Sequence, residues 1–282
     1  MVITYLLGNG FDLNFGLKTS CKDFCKYYSS FPSFQSDDRN IQNLRNNMQK
    51  DPKLWSDFEM ELGKYTSKVA SPEEMKSVYI DISTNLKQYI SSQDSSFREQ
   101  KDSVKSLLLE DVCAPENYFL QTDKAKLSTH YSDYRSQGAV EFNFISFNYT
   151  LSLEKIIGEL KDIKYDKNVC GNLKPIFGSI FHVHHTINEN VILVGVNSPE
   201  QIDNKVFRDK NIIANLLVKP NMNKMLKSGV DNRCLDLIKR TDMFVLFGLS
   251  LGKSDSMWWE SIAKFLLIDV NKRVAITIDA II

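Results

Sequence analysis

Residues 8–12, Gly-Asn-Gly-Phe-Asp, follow a short apolar run and carry groups suited to holding a nucleotide. A glycine-rich turn between a strand and a helix lets backbone N–H groups approach a phosphate, and the helix N-terminus favours the anion. The fingerprint G-x-G-x-x-G would need glycine at position 13, which is Leu13, so this is not the ordinary dehydrogenase motif. A tight turn whose glycines only supply positive φ is the alternative. If the turn binds phosphate, a Cβ at Gly10 would block the ligand and leave the fold intact.

A second glycine-rich segment, residues 248–255, lies between a predicted strand and a predicted helix. Its Gly-Leu-Ser-Leu-Gly matches the hydrolase nucleophile elbow, but that triad places histidine after serine. All four histidines of this chain precede Ser250. The following Gly-Lys-Ser resembles a P-loop, yet the first glycine of that motif is replaced by Phe247. We therefore expect a turn that faces phosphate or sugar, without a serine nucleophile.

Three histidines, His182, His184 and His185, fall near the end of a predicted strand. In a strand, the first two point to one face and the third to the other. A histidine at a strand end is suited to general base catalysis, because its pKa lies near neutrality. A structural histidine satisfied by the backbone is the alternative. No suitably spaced cysteine or carboxylate lies beside the histidines, so we expect no metal site.

Asn148 follows a compact apolar, aromatic run and precedes a helical pattern. It would lie at the C-terminal edge of the sheet, where open α/β sheets bind ligands. An asparagine that caps the following helix is the alternative. Asp57 and Glu59 are two residues apart on a predicted helix, so they point to different faces and do not form an acid pair by themselves.

The elements that must position these residues are predicted by apolar runs that alternate with helical patterns. Strands are expected at residues 2–7, 140–147, 176–183, 191–196, 243–247 and 273–278, with the third and fourth paired across a turn at 186–190. Helices are expected at about 150–160 and 257–268, and apolar residues between 222 and 238 lie on one helical face. Buried strands followed by helices indicate an α/β, Rossmann-like fold with a largely parallel sheet.

Residues from about 20 to 140 are nearly all helical in pattern and form a predicted insertion between the first strand and the rest of the sheet. Thr19 or Ser20 would cap its first helix. Further helices are expected around Trp55 and at 72–90 and 97–112, with a surface turn at 91–96 and a polar loop with a weak helix at 31–52. We expect a single domain over residues 1–282, with the main sheet drawn from 1–8 and 140–282.

Composition excludes several classes of protein. Lys and Arg number 35, as do Asp and Glu, so the formal net charge is zero, which removes the main argument for a general nucleic-acid binder. No apolar run approaches the ~18 residues that cross a bilayer, and the first residues lack the basic region of a signal peptide. The five cysteines are odd in number and scattered, unlike a disulfide framework. A cytoplasmic protein without a membrane partner is expected.

Taken together, the segments resemble the bacteriophage abortive infection AbiH family. The resemblance rests on residues 7–12, 16–20, 55–59, 147–150, 182–184 and 248–255, which occur in the family's order along nearly the whole chain. The helical region between about 30 and 140 matches little apart from the segment at Trp55. The AbiH family is in turn distantly similar to sirtuin-like domains, which share a Rossmann-like sheet.

That second similarity implies a role for each candidate residue. NAD would contact the residues of the first glycine-rich turn and two residues of the second: Gly8, Asn9, Gly10, Asp12, Ser250 and Asp255. Asn148 would position a water or the ribose, and His184 would act as general base. His182, two residues away, could partly substitute for His184. Both families usually have glycine after the second histidine, whereas this chain has His185, a bulky residue that would narrow the approach to the ribose.

The function implied by the resemblance is phage defence through hydrolysis of NAD to nicotinamide and ADP-ribose. Such an activity must be restrained in healthy cells, so a phage-derived trigger or a homo-oligomeric switch is expected. A noncatalytic nucleotide sensor or partner-binding protein is the alternative. A toxin directed at nucleic acid is disfavoured, since the chain shows neither an acidic metal cluster nor a basic balance.

Overall fold

The computed structural model describes residues 1–31, 37–118, 121–125, 139–162, 174–209, 211–268 and 273–277. Its sheet has five strands: β1 (Val2–Leu7), β2 (Ala139–Ser146), β3 (Lys174–His182), β4 (Met243–Phe247) and β5 (Arg273–Thr277). The strand order is β3-β2-β1-β4-β5, and all four pairings are parallel. The α/β, Rossmann-like fold with a largely parallel sheet is therefore confirmed.

The helices lie between the strands and after them. Those before β2 are α1 (Asn9–Asn14), α2 (Cys21–Ser29), α3 (Arg39–Lys50), α4 (Phe58–Tyr65), α5 (Pro72–Ser95), α6 (Asp102–Cys113) and α7 (121–125). Those after β2 are α8 (Ser152–Asp162), α9 (Lys205–Arg208), α10 (Asn211–Leu217), α11 (Lys219–Met225), α12 (Val230–Arg240) and α13 (Ser256–Ile268). No described helix is both long enough and apolar enough to span a membrane.

Helices cover both faces of the sheet, as a parallel sheet requires. On one face, Tyr5 and Leu7 of β1 pack with apolar residues of α6 and α8. On the other face, Leu6 packs with residues of α12 and α13, among them Leu237 and Trp258. Because successive side chains of a strand point to opposite faces, the continuous apolar run of β1 serves both layers.

Helices α2 to α5 form a further core together with residues between 192 and 222. Two of them begin at serine caps. Ser20 accepts a hydrogen bond from the backbone N–H of Asp23 at the start of α2. Ser71 does the same for Glu74 at the start of α5, where Pro72 occupies the first turn. The predicted cap at Ser20 is confirmed, and this core holds the insertion against the segment that precedes β4.

Of two expectations within the insertion, the loop with a weak helix at 31–52 was partly right and the surface turn at 91–96 was wrong. The polar region 31–52 contains a twelve-residue helix, α3. Its few apolar residues, Ile41, Leu44 and Met48, are spaced along one face and buried. The supposed turn at 91–96 is the last part of α5, which continues to Ser95. Serine hydroxyls there, including that of Ser91, donate to carbonyls one turn earlier and so remain compatible with a helix.

Two expectations after β3 were also wrong. Residues 191–196 do not form a strand. They run as coil that is buried from residue 192 onward, and Val196 makes only an isolated bridge with Val218. The apolar positions between 222 and 238 belong to two helices, α11 and α12, because the chain turns at Lys227 and Gly229, which both have positive φ. Met225 and Leu226 are consequently exposed rather than on a shared buried face.

Candidate functional site

A cavity of ≈ 790 Å³ lies at the C-terminal ends of the strands. The chain runs from β1 to β2 on one side and later crosses to β4 on the other, so the strand order reverses at β1. Open α/β sheets bind their ligands at such a switch point. The structure brings every predicted site residue to the lining of this cavity: Gly8, Asn9, Gly10, Asp12, Asn148, His184, Ser250 and Asp255.

The opposite wall comes from the helical insertion, which was not expected to reach the site. Cys21 of α2, Leu86 of α5 and the segment Asp57 to Glu59 at the start of α4 line the cavity. Cys21 is exposed as a residue, but desolvation of its thiol, and further the charge of Glu59, raise the pKa of that thiol to about 11. A thiol in that environment stays protonated and is not a nucleophile.

The two glycine-rich turns contact each other backbone to backbone. The Gly8 N–H donates to the Phe247 carbonyl and the Gly10 N–H to the Gly248 carbonyl, both at 2.9 Å. A Cβ on Gly10 would lie 2.4 Å from the Gly248 Cα, and Gly248 itself has φ of +59°. The expectation that Gly10 could be replaced without disturbing the fold is therefore wrong. The backbone N–H groups of Gly8 and Gly10 are thus already used in hydrogen bonds to the end of β4 and the turn after it.

Asp12 ties the turn after β1 to the start of α8. Its side chain is buried, and the hydroxyl of Thr150 donates to both carboxylate oxygens at 2.9 Å. The hydroxyl of Ser152 donates to Oδ1 at 2.6 Å. Burial raises the pKa of Asp12 to about 6, and these hydroxyl groups partly oppose the rise. The carboxylate thus fixes the loop that carries Asn148, and contact with a nucleotide stays a prediction.

Asn148 is held in a single orientation at the floor of the cavity. Its Nδ2 donates to the Gly8 carbonyl at 3.0 Å, and its backbone N–H donates to the Ser146 hydroxyl at 3.2 Å. Among the described residues none hydrogen-bonds its Oδ1. The side chain is only 7% exposed. An amide fixed through its nitrogen can present its oxygen to a water or hydroxyl group.

His184 is oriented by a carboxylate that a buried lysine keeps ionised. Its Nε2 lies 2.9 Å from Asp255 Oδ1, and the same oxygen accepts from Lys219 Nζ at 2.8 Å. Burial opposes ionisation of Asp255, but Lys219 and His184 outweigh it and hold its pKa well below the usual range. Because an ionised carboxylate only accepts hydrogen bonds, Nε2 carries a hydrogen. Nδ1 is then the nitrogen that can take up a proton.

The model of the family described as Bacteriophage abortive infection AbiH matches residues 4–277. The chain belongs to the AbiH family. The matched span includes both glycine-rich turns, Asn148 and the histidine cluster. Among curated proteins, none matches the chain significantly. Family membership places the protein in abortive-infection defence against phage, while the similarity to sirtuin-like domains stays a prediction.

His185, where the resemblance leads one to expect glycine, is not among the residues that line the cavity. Its φ is +62°, a left-handed conformation that glycine adopts most readily. The Nδ1 of its ring lies 3.0 Å from the Val191 carbonyl. The expectation that this residue obstructs a ribose was therefore wrong.

His182 stabilises the Asn148 loop of this AbiH chain from outside the cavity lining. Its Nδ1 lies 2.8 Å from the Asn148 carbonyl and its Nε2 2.7 Å from Glu154 Oε1. Both partners are acceptors, so the ring needs both hydrogens to satisfy them. Burial lowers the pKa of His182, but Glu154 and the Asn148 carbonyl outweigh it and the net pKa is raised. The expectation that this ring could stand in for His184 was wrong.

Glu154→Gln should destabilise the protein at pH 6 by about 1 kcal/mol and much less at pH 9, since a bond to a charged group is worth about 1.5–3 kcal/mol before solvent screening. The folded pKa of His182 is raised. Its contribution to stability is therefore fully present below the unfolded pKa and is lost as pH rises through the folded value. The free energy of unfolding in urea, measured at both pH values, tests this.

Glu61→Gln is the matched control, because Glu61 pairs with Lys64 Nζ at 2.5 Å and Glu61 also raises the pKa of that lysine. The raised pKa of Lys64 keeps this lysine charged between pH 6 and pH 9, so the cost of losing the pair should stay constant over that range. An equally constant cost for Glu154→Gln would show that His182 is not charged in the folded protein.

The buried ion-pair cluster of Glu59, Lys219 and Asp255 was not predicted from the sequence. Glu59 and Lys219 are 160 residues apart, and Lys219 Nζ lies 2.6 Å from Glu59 Oε2. The available signal was a lysine directly after the apolar run 216–218 and before a proline. Over the ranges that the structure describes, no group of three or more histidine, cysteine or acidic residues is placed to hold a metal ion.

Proposed function

We propose that this AbiH protein hydrolyses NAD to nicotinamide and ADP-ribose in the cavity at the ends of β1, β2 and β4. The observation that carries the proposal is that Asn148 and an Asp255-oriented His184 line one cavity at the switch point of a parallel sheet. An amide that can hold a water and a base that can accept its proton are the two groups that hydrolysis at a ribose carbon requires.

The charge of the cavity fits the reacting end of NAD. Carboxylates of Asp12, Asp57, Glu59 and Asp255 line it, and none of the described lining residues is lysine or arginine. Lys219, which does not line the cavity, offsets one charge of the Glu59 and Asp255 pair, so the lining stays net negative. The nicotinamide ring of NAD carries a positive charge, and its loss leaves an oxocarbenium-like ribose. Fixed negative groups in a water-poor site stabilise a cation that develops in the transition state. Ser250 and Asn9 offer neutral hydrogen-bonding groups to the ribose and phosphate parts.

In the proposed reaction, the bond between ribose C1′ and the nicotinamide nitrogen breaks, and its electron pair stays on that nitrogen. A water held by Asn148 Oδ1 attacks C1′ on the opposite face. His184 Nδ1 takes a proton from this water as the new C–O bond forms, while Asp255 stabilises the resulting imidazolium. The products are neutral nicotinamide and ADP-ribose, and the proton later passes from His184 to solvent.

Loss of NAD would stop an infected cell before phage are released. We further propose that the free protein is restrained and that a phage-derived trigger or a homo-oligomeric switch releases it. The same cavity could instead act in a noncatalytic nucleotide sensor. In that case NAD would bind without turnover, which the following assay distinguishes.

Purified protein incubated with NAD, with and without extract of phage-infected cells, should release nicotinamide and ADP-ribose in equal amounts. NADH is the matched control substrate, since its uncharged ring is a poor leaving group and should not be released. At a hundredfold excess over its dissociation constant, NAD should also stabilise the protein by about 2.7 kcal/mol. Stabilisation without nicotinamide would support the sensor, and neither effect under any condition would reject a nicotinamide nucleotide as ligand.

A further inference from the structure

Lys219 is buried where three separate parts of the chain meet. Its side chain stands at the start of α11 and is 4% exposed. Its Nζ reaches Glu59 of α4, in the helical insertion, and Asp255 in the turn after β4. Glu59 is fixed in turn, since its Oε1 accepts from the Gly195 N–H at 3.3 Å. Lys219 Nζ, both oxygens of Glu59 and Oδ1 of Asp255 therefore have defined partners.

Burying a lysine between two carboxylates gains little stability over an apolar side chain of similar size, because desolvation offsets most of the attraction. The presence of a lysine at position 219 is therefore better explained by the effect of its charge on the neighbouring side chains. Asp255 uses one oxygen, Oδ1, for both Lys219 and His184. The lysine therefore acts directly on the atom that orients the proposed base.

We propose that Lys219 is a positioning residue for His184: it keeps Asp255 ionised and thereby keeps His184 in the tautomer that carries its hydrogen on Nε2. The catalytic part of this proposal rests on the proposed function. The tautomer of His184 does not, because it can be measured without substrate. The charged groups that face this cluster are Glu59 from α4, Asp255 from the turn after β4 and Asp231 from α12, which interacts electrostatically with His184.

Without the lysine, two carboxylates would face each other with no cation between them. Glu59 Oε2 and Asp255 Oδ1 lie 2.6 Å and 2.8 Å from the same nitrogen. Like charges so close cannot both stay ionised in a buried site, so the pair would take up a proton. A protonated Asp255 can donate as well as accept, and the hydrogen on Nε2 of His184 would no longer be required.

The test is ¹⁵N NMR of histidine-labelled protein at pH 8, which separates the two neutral tautomers of an imidazole. His184 is assigned by its absence in His184→Gln. We expect the Nε2–H tautomer in the wild type and a mixture in Lys219→Met. In the double variant Glu59→Gln/Lys219→Met only one carboxylate remains, so the Nε2–H tautomer should return. This rescue separates a charge effect from general damage to the fold.

Lys105→Met is the matched control, because Lys105 is also a buried lysine paired with acids, Glu99 and Glu159, and does not line the cavity. It should leave the His184 signal unchanged. If Lys219→Met does not fold, the same NMR measurement is made on Lys219→Gln, which removes the charge but keeps a hydrogen-bond donor. An unchanged tautomer in the Lys219 variant, or no return in the double variant, would overturn the proposal.

Catalysis gives the second readout. Lys219→Met should lower kcat for NAD hydrolysis by about 10²-fold with little change in KM, because a misplaced base affects the reacting step and not ground-state binding. If the wild type does not hydrolyse NAD, the proposed function fails while the tautomer measurement still decides the role of Lys219. If NAD is hydrolysed and Lys219→Met changes neither tautomer nor kcat, only the positioning role fails.

Discussion

Asn148→Ala should lower the rate of NAD hydrolysis by about 10²–10³-fold, and His184→Ala should lower it by about 10²–10⁴-fold. Both side chains are assigned to the developing transition state, so NAD binding should remain close to that of the wild type. No neighbouring histidine should rescue His184→Ala, since His182 is bonded to Glu154 and to the Asn148 carbonyl. The measurements are nicotinamide release, thermal stabilisation by NAD, and phage plating with cellular NAD followed during infection.

Asn85→Ala is the control for the structural cost of the first variant. Asn85 donates its Nδ2 to the Asp81 carbonyl at 2.7 Å, as Asn148 does to Gly8, and it does not line the cavity. Each substitution should cost about 0.5–1.5 kcal/mol of stability, but only Asn148→Ala should lose activity. Full protection by Asn148→Ala, together with constant NAD in infected wild-type cells, would reject hydrolysis and favour the sensor.

The sheet could be predicted because its central strands are buried on both faces. All five residues of β4 are buried, and such strands read as unbroken apolar runs. The turns after those strands follow directly from their ends, so the candidate residues could be placed at one edge of the sheet. The run at 191–196 is equally apolar and was misread, because burial alone does not distinguish a strand from packed coil.

The far wall of the cavity could not be predicted in the same way. Cys21, Asp57 and Glu59 reach the sheet edge only through the packing of the insertion on the segment around residues 192–222. Such tertiary contacts leave no local pattern in the sequence. Lys219 shows the difficulty most plainly, since a lysine at the start of a helix ordinarily indicates a solvated side chain. Its two carboxylate partners become visible only in the folded chain.

The structure assigns the glycines of the first turn a different role from the one that the sequence predicts. The sequence predicts that the glycines of the first turn allow a phosphate to approach the backbone, because a strand, a glycine-rich turn and a helix in that order are typical of nucleotide sites. In the fold, the N–H groups of Gly8 and Gly10 donate to the carbonyls of Phe247 and Gly248, at the end of β4 and in the turn after it. Their first requirement is therefore close packing between two turns, which also sets the floor of the cavity.

Gly10→Ala should destabilise the protein strongly, by about 3 kcal/mol, and should lower Tm by roughly 6–12 °C. The added Cβ would lie 2.4 Å from the Gly248 Cα, a contact between backbone atoms that no side-chain movement can relieve. Gly248 cannot retreat easily, because its φ of +59° is already fixed by the turn. The measurement is thermal unfolding together with the free energy of unfolding in urea, without any ligand.

Gly158→Ala is the matched control, since Gly158 lies within α8 and a Cβ there would meet no atom within 4 Å. Alanine is favoured over glycine inside a helix, so this variant should gain roughly 0.5–1 kcal/mol. The same substitution is thus expected to have opposite signs at the two positions. If Gly10→Ala folds as stably as the wild type and loses only NAD binding, the glycine serves the ligand, and the packing interpretation of the turn is wrong.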